Sequence, residues 1–486
     1  MAQRELRIVV MGAGMAGLLA AIKLRQENYR DFVVYEKAAT VGGTWRENTY
    51  PGLTCDVPSH HYTYKFERNP DWSRQLPPGP EIQDYFERTC DAYDVRRCIR
   101  FGCEVLTAEY RGGRWQLELG DGTTDAADVL IAATGVLHRP SIPKIPGMET
   151  FAGQLFHSAR WDHSVSLEPM RVGVIGGGST GVQITSALAG KVAHYTHFQR
   201  TPQWIMPVTN GYYSDAEKAA FRADPALLEE AMDTATYTRN VEAYTQVITG
   251  DDTEGARYWG EACLRNLEDN VLDVQLREKL RPDHQALCKR LIFSPDYYEA
   301  IQRGRTSLET TPIASIEPKG IRTEDECLHE LDLIVLATGF QPDQFMRPMV
   351  IKGDGGITLE DFWRERPKAY LAISMPGFPN LFMLNGPNGP VGNFSLIDIA
   401  EHQWNYIRQL LAALRSGERE RICPSAAALE AFERDRVAAA KKTIWYTGGC
   451  RSWYLDAQGI PASWPWNYSR FVEQMSAPHW PAFAGQ

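Results

Sequence analysis

One pattern occurs twice and limits the fold more than any other feature of the chain. An apolar run, a glycine-spaced turn and a helical stretch appear in LRIVVMGAGMAGLLAAIKL and again in RVGVIGGGSTGVQITSAL. Gly12, Gly14 and Gly17 fill one G-x-G-x-x-G spacing, and Gly176, Gly178 and Gly181 fill the other. The first glycine permits a tight turn, the second lets a pyrophosphate approach the backbone, and the third lets helix and strand pack closely. Phosphates then sit at a helix N-terminus, where free N–H groups and the helix dipole favour anions; Ser179 and Thr180 open the second helix. Each motif is answered later by an apolar run ending in Ala-Thr-Gly, at 128–135 and 332–339. Four matched pieces predict an α/β chain with two Rossmann-like dinucleotide-binding domains, one inserted in the other. The expected first strand covers residues 6–10.

The two units differ where selectivity is set. The strand expected over 32–35 ends in Glu36, 19 residues past Gly17, and an acid there suits a ribose 2′-hydroxyl. The strand expected over 195–198 ends in Gln199-Arg200-Thr201, and a cation there suits a 2′-phosphate. This contrast assigns FAD to the first unit and NADPH to the second. The stretch 215–280 carries ALLEEAMDTA and LEDNVLDVQLREKL, which read as helices inserted in the NADPH unit. The expected parts are an FAD domain over 1–145 and 375–486, an NADPH domain over 146–212 and 288–374, and a helical insertion over 213–287.

Composition narrows the classes. A net charge of −10, not gathered in a tail, argues against nucleic acid or an anionic membrane as partner. No apolar run reaches the roughly 18–20 residues of a membrane span, and the first strand begins almost at once, with no signal peptide ahead of it. Nine irregularly spaced cysteines argue against a disulfide framework and for a cytoplasmic location. No histidine has metal-ligand spacing, so no metal is expected. Oligomeric state is not legible in the sequence.

Enzymes with two such units pass electrons through a disulfide or to O₂. Gly42-Gly43-Thr44-Trp45 has a tryptophan where a redox-active thiol would stand. Cys98 and Cys103, spaced C-x₄-C, lie far downstream and read as core or incidental residues. The run Phe151-Ala-Gly153-Gln-Leu-Phe-His157-Ser-Ala-Arg-Trp161-Asp162 resembles the F-x-G-x-x-x-H-x-x-x-W-[P/D] signature of type I Baeyer–Villiger monooxygenases. The resemblance covers nearly the whole chain, including GGTWRENTYPG, Cys55-Asp56, FQRTP, Lys289-Arg290 and FPNLFMLNGPNGP.

That resemblance implies an activity and roles for particular residues. NADPH would reduce the flavin, O₂ would add to form a C4a-peroxyflavin, and this would attack a ketone to give an ester or lactone. Arg290 would stabilise the oxygen anions, because its charge is permanent and its donors are fixed in a plane. Asp56 would pair with Arg290. Gly43, Thr44 and Trp45 would line the FAD site, and Lys289 would reach the 2′-phosphate beside Arg200 and Thr201. Phe151, Gly153, His157 and Trp161 would form a hinge between the units or simply pack at a linker. Val391, Asn393 and Phe394 would touch the ketone, in a loop that departs from the family's small-residue version. Trp453–Asp456 (453–456) and the 464–466 Trp-Pro-Trp resemble branches acting on cyclic, aryl or bulky ketones, although these aromatics would equally serve to cap the FAD domain. An N- or S-oxygenating flavin monooxygenase and a non-catalytic flavoprotein are the alternatives; Trp161, Arg290 and Asp56 count against the first, and two intact nucleotide motifs against the second.

Overall fold

The computed structural model describes residues 4–483 and contains two parallel sheets built to one plan. In the first, the strands run in the order Leu381–Met383, Val129–Ala132, Ile8–Met11, Phe32–Tyr35, Ile99–Arg100. In the second the order is Gln154–His157, Leu333–Leu336, Arg171–Ile175, His194–Phe198, Thr306–Glu309. Every neighbouring pair is parallel. The central strands are fully buried, as parallel strands covered on both faces must be. The two Ala-Thr-Gly runs hold equivalent places, each directly beside the strand that precedes the glycine turn.

Each unit also carries a small antiparallel layer ahead of its Ala-Thr-Gly strand. Val105–Arg111, Arg114–Leu119 and Thr124–Ala127 form one, and Ile313–Glu317, Gly320–Thr323 and Leu328–Glu330 form the other. The strand Val350–Lys352 pairs with Val105–Arg111, so by residue 350 the chain is back on the first unit. That return precedes the boundary expected at 374. Three residues of an edge strand carry too little periodicity to reveal which sheet they join.

The first strand spans Ile8–Met11 rather than 6–10, because pairing begins where Ile8 meets Phe32 and Val129. The insertion is helical, with Asp215–Ala223, Pro225–Met232, Thr234–Thr249, Thr253–Asn270 and Val274–Leu280. The run LEDNVLDVQLREKL, expected as one helix, is broken at residues 271–273. Asp273 accepts from the amides of Gln275 and Leu276 and caps a new helix there. No described helix is long and apolar enough to cross a membrane.

One expectation about cysteine is corrected. Cys288 and Cys450, 162 residues apart in sequence, form a disulfide. Spacing could not show it, because only the tertiary fold brings these two segments together. Cys98 and Cys103 are unbridged.

Candidate active site

Both glycine turns are shaped by what a side chain would strike. A Cβ on Gly17 would lie 1.8 Å from the Gly12 carbonyl oxygen, and one on Gly181 would lie 1.9 Å from that of Gly176. Gly12 and Gly176 have φ of +99° and +129°, a region that L side chains rarely adopt. Gly178 has nothing within 4 Å, and Gly14 meets only the backbone of Gly43. Gly14 and Gly178 cap the helices Met15–Gln26 and Ser179–Leu188 with no side-chain hydrogen bond, so the first-turn amides have no competing cap. Each helix N-terminus is therefore an uncapped anion cradle that fits a pyrophosphate.

The strand ends separate the two units. Glu36 is buried and accepts from the amides of Ala13 (2.7 Å) and Ala38 (2.9 Å), which fixes its carboxylate at the edge of the first cradle. Gln199 holds the equivalent place in the second unit and is also buried, but neutral. Arg200, the next residue, is exposed, and Thr201 lies beside it, accepting on its carbonyl from the Gln199 and Gln203 side chains. Lys289 is close enough to feel the Arg200 charge. Burial lowers the Lys289 pKa, Asp283 opposes this, and Arg200 adds to the lowering. Two cations near one strand end, with no ion-pair partner within 4 Å among the described residues, fit a 2′-phosphate.

Arg290 and Asp56 meet across 234 residues of sequence. Nε donates to Oδ2 at 2.9 Å and Nη2 to Oδ1 at 2.8 Å, a two-point fork that only a planar guanidinium can make. Nη1 donates to the Gly392 carbonyl at 2.8 Å. Burial alone would lower the Arg290 pKa, but Asp56, then Tyr454 and Tyr244, outweigh it and hold the guanidinium above its ordinary value. The result is a permanent positive charge in partly dry surroundings.

Gly42 and Gly43 have positive φ and bring the short helix Thr44–Glu47 over the first cradle. Trp45 donates from Nε1 to the Tyr62 hydroxyl at 2.9 Å. The following residues dock on the second unit: Tyr50 donates to Gln183 Oε1 at 2.8 Å, and Gln183 donates to the Thr54 carbonyl at 2.8 Å. A Cβ on Gly52 would lie 2.5 Å from the Gln183 carbonyl oxygen.

The fingerprint segment crosses between the units. His157 Nδ1 accepts from the Ala159 amide at 3.1 Å, so Nε2 carries the hydrogen and donates to the Gly339 carbonyl at 3.0 Å. Burial keeps this imidazole below its usual pKa. Trp161 is buried against Phe156 and shares a cluster with Tyr50. Phe151 packs on the second unit's antiparallel layer, and a Cβ on Gly153 would strike the Asp332 carbonyl at 2.4 Å.

The expected ketone contacts separate. Val391 is half-buried in the loop beside Gly392. Asn393 is buried, and its Nδ2 donates to the Trp464 carbonyl at 3.3 Å. Phe394 is turned into the core, edge-on to Tyr468 and Phe471. The sequence placed both in a loop without showing which side chains face inward. The tail also divides: Trp464 is fully buried in the first unit's core, whereas Tyr454 lies beside Arg290.

Sequence reasoning missed Tyr244 and Ser395, and it named Tyr454 only within the aromatic stretch 453–456, without its place beside Arg290. The Ser395 hydroxyl is buried without a hydrogen-bond partner at the start of the helix Leu396–Ser416. The Ser-before-helix spacing was a usable signal for Ser395; nothing local marked Tyr244.

Comparisons agree with this geometry. The family described as pyridine nucleotide-disulphide oxidoreductase matches residues 6–256. An uncharacterized monooxygenase of Mycobacterium tuberculosis is 45% identical, covering 94% of this chain and 92% of its own length. A Baeyer–Villiger monooxygenase of Streptomyces coelicolor is 37% identical, covering 96% and 90%. Cyclohexanone monooxygenase from Rhodococcus sp. Phi1, solved bound to NADP⁺, superposes with a TM-score of 0.86 at 30% identity, covering 97% and 96%. OTEMO, solved with FAD and NADP, gives a TM-score of 0.86 at 26% identity, covering 98% and 97%. The chain belongs to the pyridine nucleotide-disulphide oxidoreductase family and, more narrowly, to the Baeyer–Villiger monooxygenases.

Proposed function

We propose that this enzyme uses NADPH and O₂, with FAD held by the first unit, to insert one oxygen atom between the carbonyl carbon and an α-carbon of a ketone. The balance is ketone, O₂, NADPH and a proton to ester or lactone, NADP⁺ and water. When bound, FAD supplies the route for electrons from NADPH to O₂. The observation that carries the reading is the fork between Arg290 and Asp56 with the Gly392 carbonyl on the third side. Arg290 meets the negative charge that develops on oxygen, and its anchoring removes the cost of reorienting a charge during the reaction. Asp56 holds the guanidinium plane. Tyr244 and Tyr454 stand beside the same charge and help to keep it.

Lys289, Arg200 and Thr201 bind the 2′-phosphate, while Gly176, Gly178, Ser179, Thr180 and Gly181 cradle the NADPH pyrophosphate. Gly12, Gly14, Gly17 and Glu36 do the same work for FAD, with Gly43, Thr44 and Trp45 covering it. His157 and Trp161 transmit the position of the second unit to the first. Val391 is the ketone contact best supported by its place beside Gly392. The sheet pairings support an FAD unit that resumes before residue 350. A cytoplasmic location belongs to the same reading, with the unbridged cysteines for it and the Cys288–Cys450 bridge counting against it.

The test is incubation with NADPH, ¹⁸O₂ and a panel of cyclic, aryl and open-chain ketones, followed by mass spectrometry. An ester or lactone carrying one ¹⁸O supports the reading. Labelled N- or S-oxides from amines or sulfides, with every ketone unchanged, would replace it.

A further inference from the structure

We propose that the Cys288–Cys450 disulfide is a positioning device for oxygenation: it clamps the turn that presents Lys289 and Arg290, and opening it uncouples NADPH oxidation from oxygen insertion. The proposal rests on the function assigned above.

Cys288 immediately precedes the two cations. Leu287, just before it, has φ of +68°, a conformation that a branched side chain adopts only when its surroundings hold it there. Trp204 holds the turn from one side, donating from Nε1 to the His284 carbonyl at 2.9 Å, and the C-terminal segment holds it from the other. The Gln285 amide donates to the Gly448 carbonyl at 3.1 Å, and the Cys450 amide to Cys288 Sγ at 3.2 Å. Gly448 approaches so closely that a Cβ there would lie 2.7 Å from Cys288 Cβ.

The same segment supports Arg290 from the other side. Tyr454, four residues past Cys450, is buried and stacked on Trp445 and Trp453, with ring centroids 4.6 and 4.2 Å away. Its hydroxyl fills the space beside Gly392, where a Cβ would lie 2.3 Å from it. Gly392 is the residue whose carbonyl accepts from Arg290. The covalent bond therefore ties the turn before Arg290 to the segment carrying Tyr454, and Tyr454 in turn packs on the loop carrying Gly392. Small displacements of positioned groups are expensive for rate, about 10²-fold for 1 Å.

Cys288 is fully buried and Cys450 is half-buried, so a small thiol meets the Cys450 sulfur first. The external thiolate bonds to Cys450 Sγ, the S–S bond breaks, and Cys288 leaves as a thiolate that takes up a proton. A second external thiol then releases Cys450. The sum is one protein disulfide and two external thiols giving two protein thiols and one external disulfide. An external disulfide such as oxidised glutathione runs the exchange backwards.

The experiment has two readouts on the holoenzyme. Alkylation under denaturing, non-reducing conditions is expected to modify seven of the nine cysteines. Ester, peroxide and NADPH consumption are then compared for wild type, wild type reduced with dithiothreitol, C288S, C450S and the double variant. Reduced wild type and all three variants should share a peroxide fraction raised at least threefold and a KM for NADPH raised severalfold, with FAD content unchanged. Oxidised glutathione should restore only wild type. Nine alkylated cysteines, or a reduced wild type that keeps its coupling and KM and loses only thermal stability, would overturn the proposal. The reduced wild type decides the matter if the variants do not fold. If untreated wild type oxygenates no ketone, the functional reading fails, while the alkylation count still reports on the bond.

Discussion

The two nucleotide-binding units share a backbone and differ in a few side chains. Strand order, glycine collisions and uncapped helix starts correspond one for one. At the strand end, one unit has the buried carboxylate of Glu36 held by two amides, and the other has neutral Gln199 followed by Arg200. Beneath the turn, Val34 of the first unit corresponds to His197 of the second, which donates from Nε2 to the Gly176 carbonyl at 2.9 Å. The lesson is that backbone geometry makes a pyrophosphate cradle, and one or two side chains at its rim choose the nucleotide.

The comparison breaks most visibly at the glycines. Gly17→Ala puts a Cβ against backbone that cannot yield, so the first unit should fail to hold FAD, read as colourless or insoluble protein. Gly178→Ala meets open space and should fold normally, yet its methyl stands where the phosphates approach; NADPH kinetics should show KM raised while the melting temperature is unchanged. Equal effects at both positions would remove the distinction between a packing glycine and a ligand-facing one.

The rim is tested next. Losing a charge-assisted hydrogen bond costs about 1.5–3 kcal/mol. Arg200→Ala should therefore raise KM for NADPH about 10–100-fold and leave KM for NADH nearly unchanged in steady-state assays. Adding Gln199→Glu, which gives the second unit the acid of the first, should push the preference further toward NADH.

A smaller effect is acid sensitivity, which both units share through buried histidines, His60 in the first and His197 in the second. Burial holds the His197 pKa down at about 4, against about 6.5 in the unfolded chain. Between these values the unfolded state binds the extra proton, so stability falls as pH drops below 6.5. At pH 5 the loss is about 2 kcal/mol from this residue. Thermal unfolding at pH 7.5 and pH 5 should show a gap in wild type, and His197→Gln should narrow it by about that amount. Smallest of all, the Arg160–Glu47 ion pair spans the units at 3.4 Å with Arg160 half exposed. Arg160→Ala should cost no more than about 0.5 kcal/mol in chemical denaturation.

What the sequence revealed follows the range of the interactions involved. Glycine spacing, buried strands and the Glu36–Arg200 contrast are local, and they were legible from the residues themselves. Arg290 and Asp56 are 234 residues apart, and only resemblance to matched segments paired them. The Cys288–Cys450 bond and the place of Tyr454 beside Arg290 had no local trace, because each depends on where the C-terminal segment docks. Asn393 and Phe394 show the converse: the loop was identified, but side-chain direction within it is decided by packing against Trp464, Tyr468 and Phe471. Asp273 broke an expected helix through a capping preference that periodicity alone does not weigh.

Arg290, held by Asp56 and Gly392, stabilises charge on the oxygen being transferred. The most direct test is product partition under ¹⁸O₂ for wild type and Arg290→Ala, using a ketone that wild type converts. Arg290→Ala should still bind FAD and oxidise NADPH, while labelled ester falls about 10²–10³-fold and peroxide takes its place. An Arg290→Ala enzyme that yields labelled ester at the wild-type rate would contradict the claim.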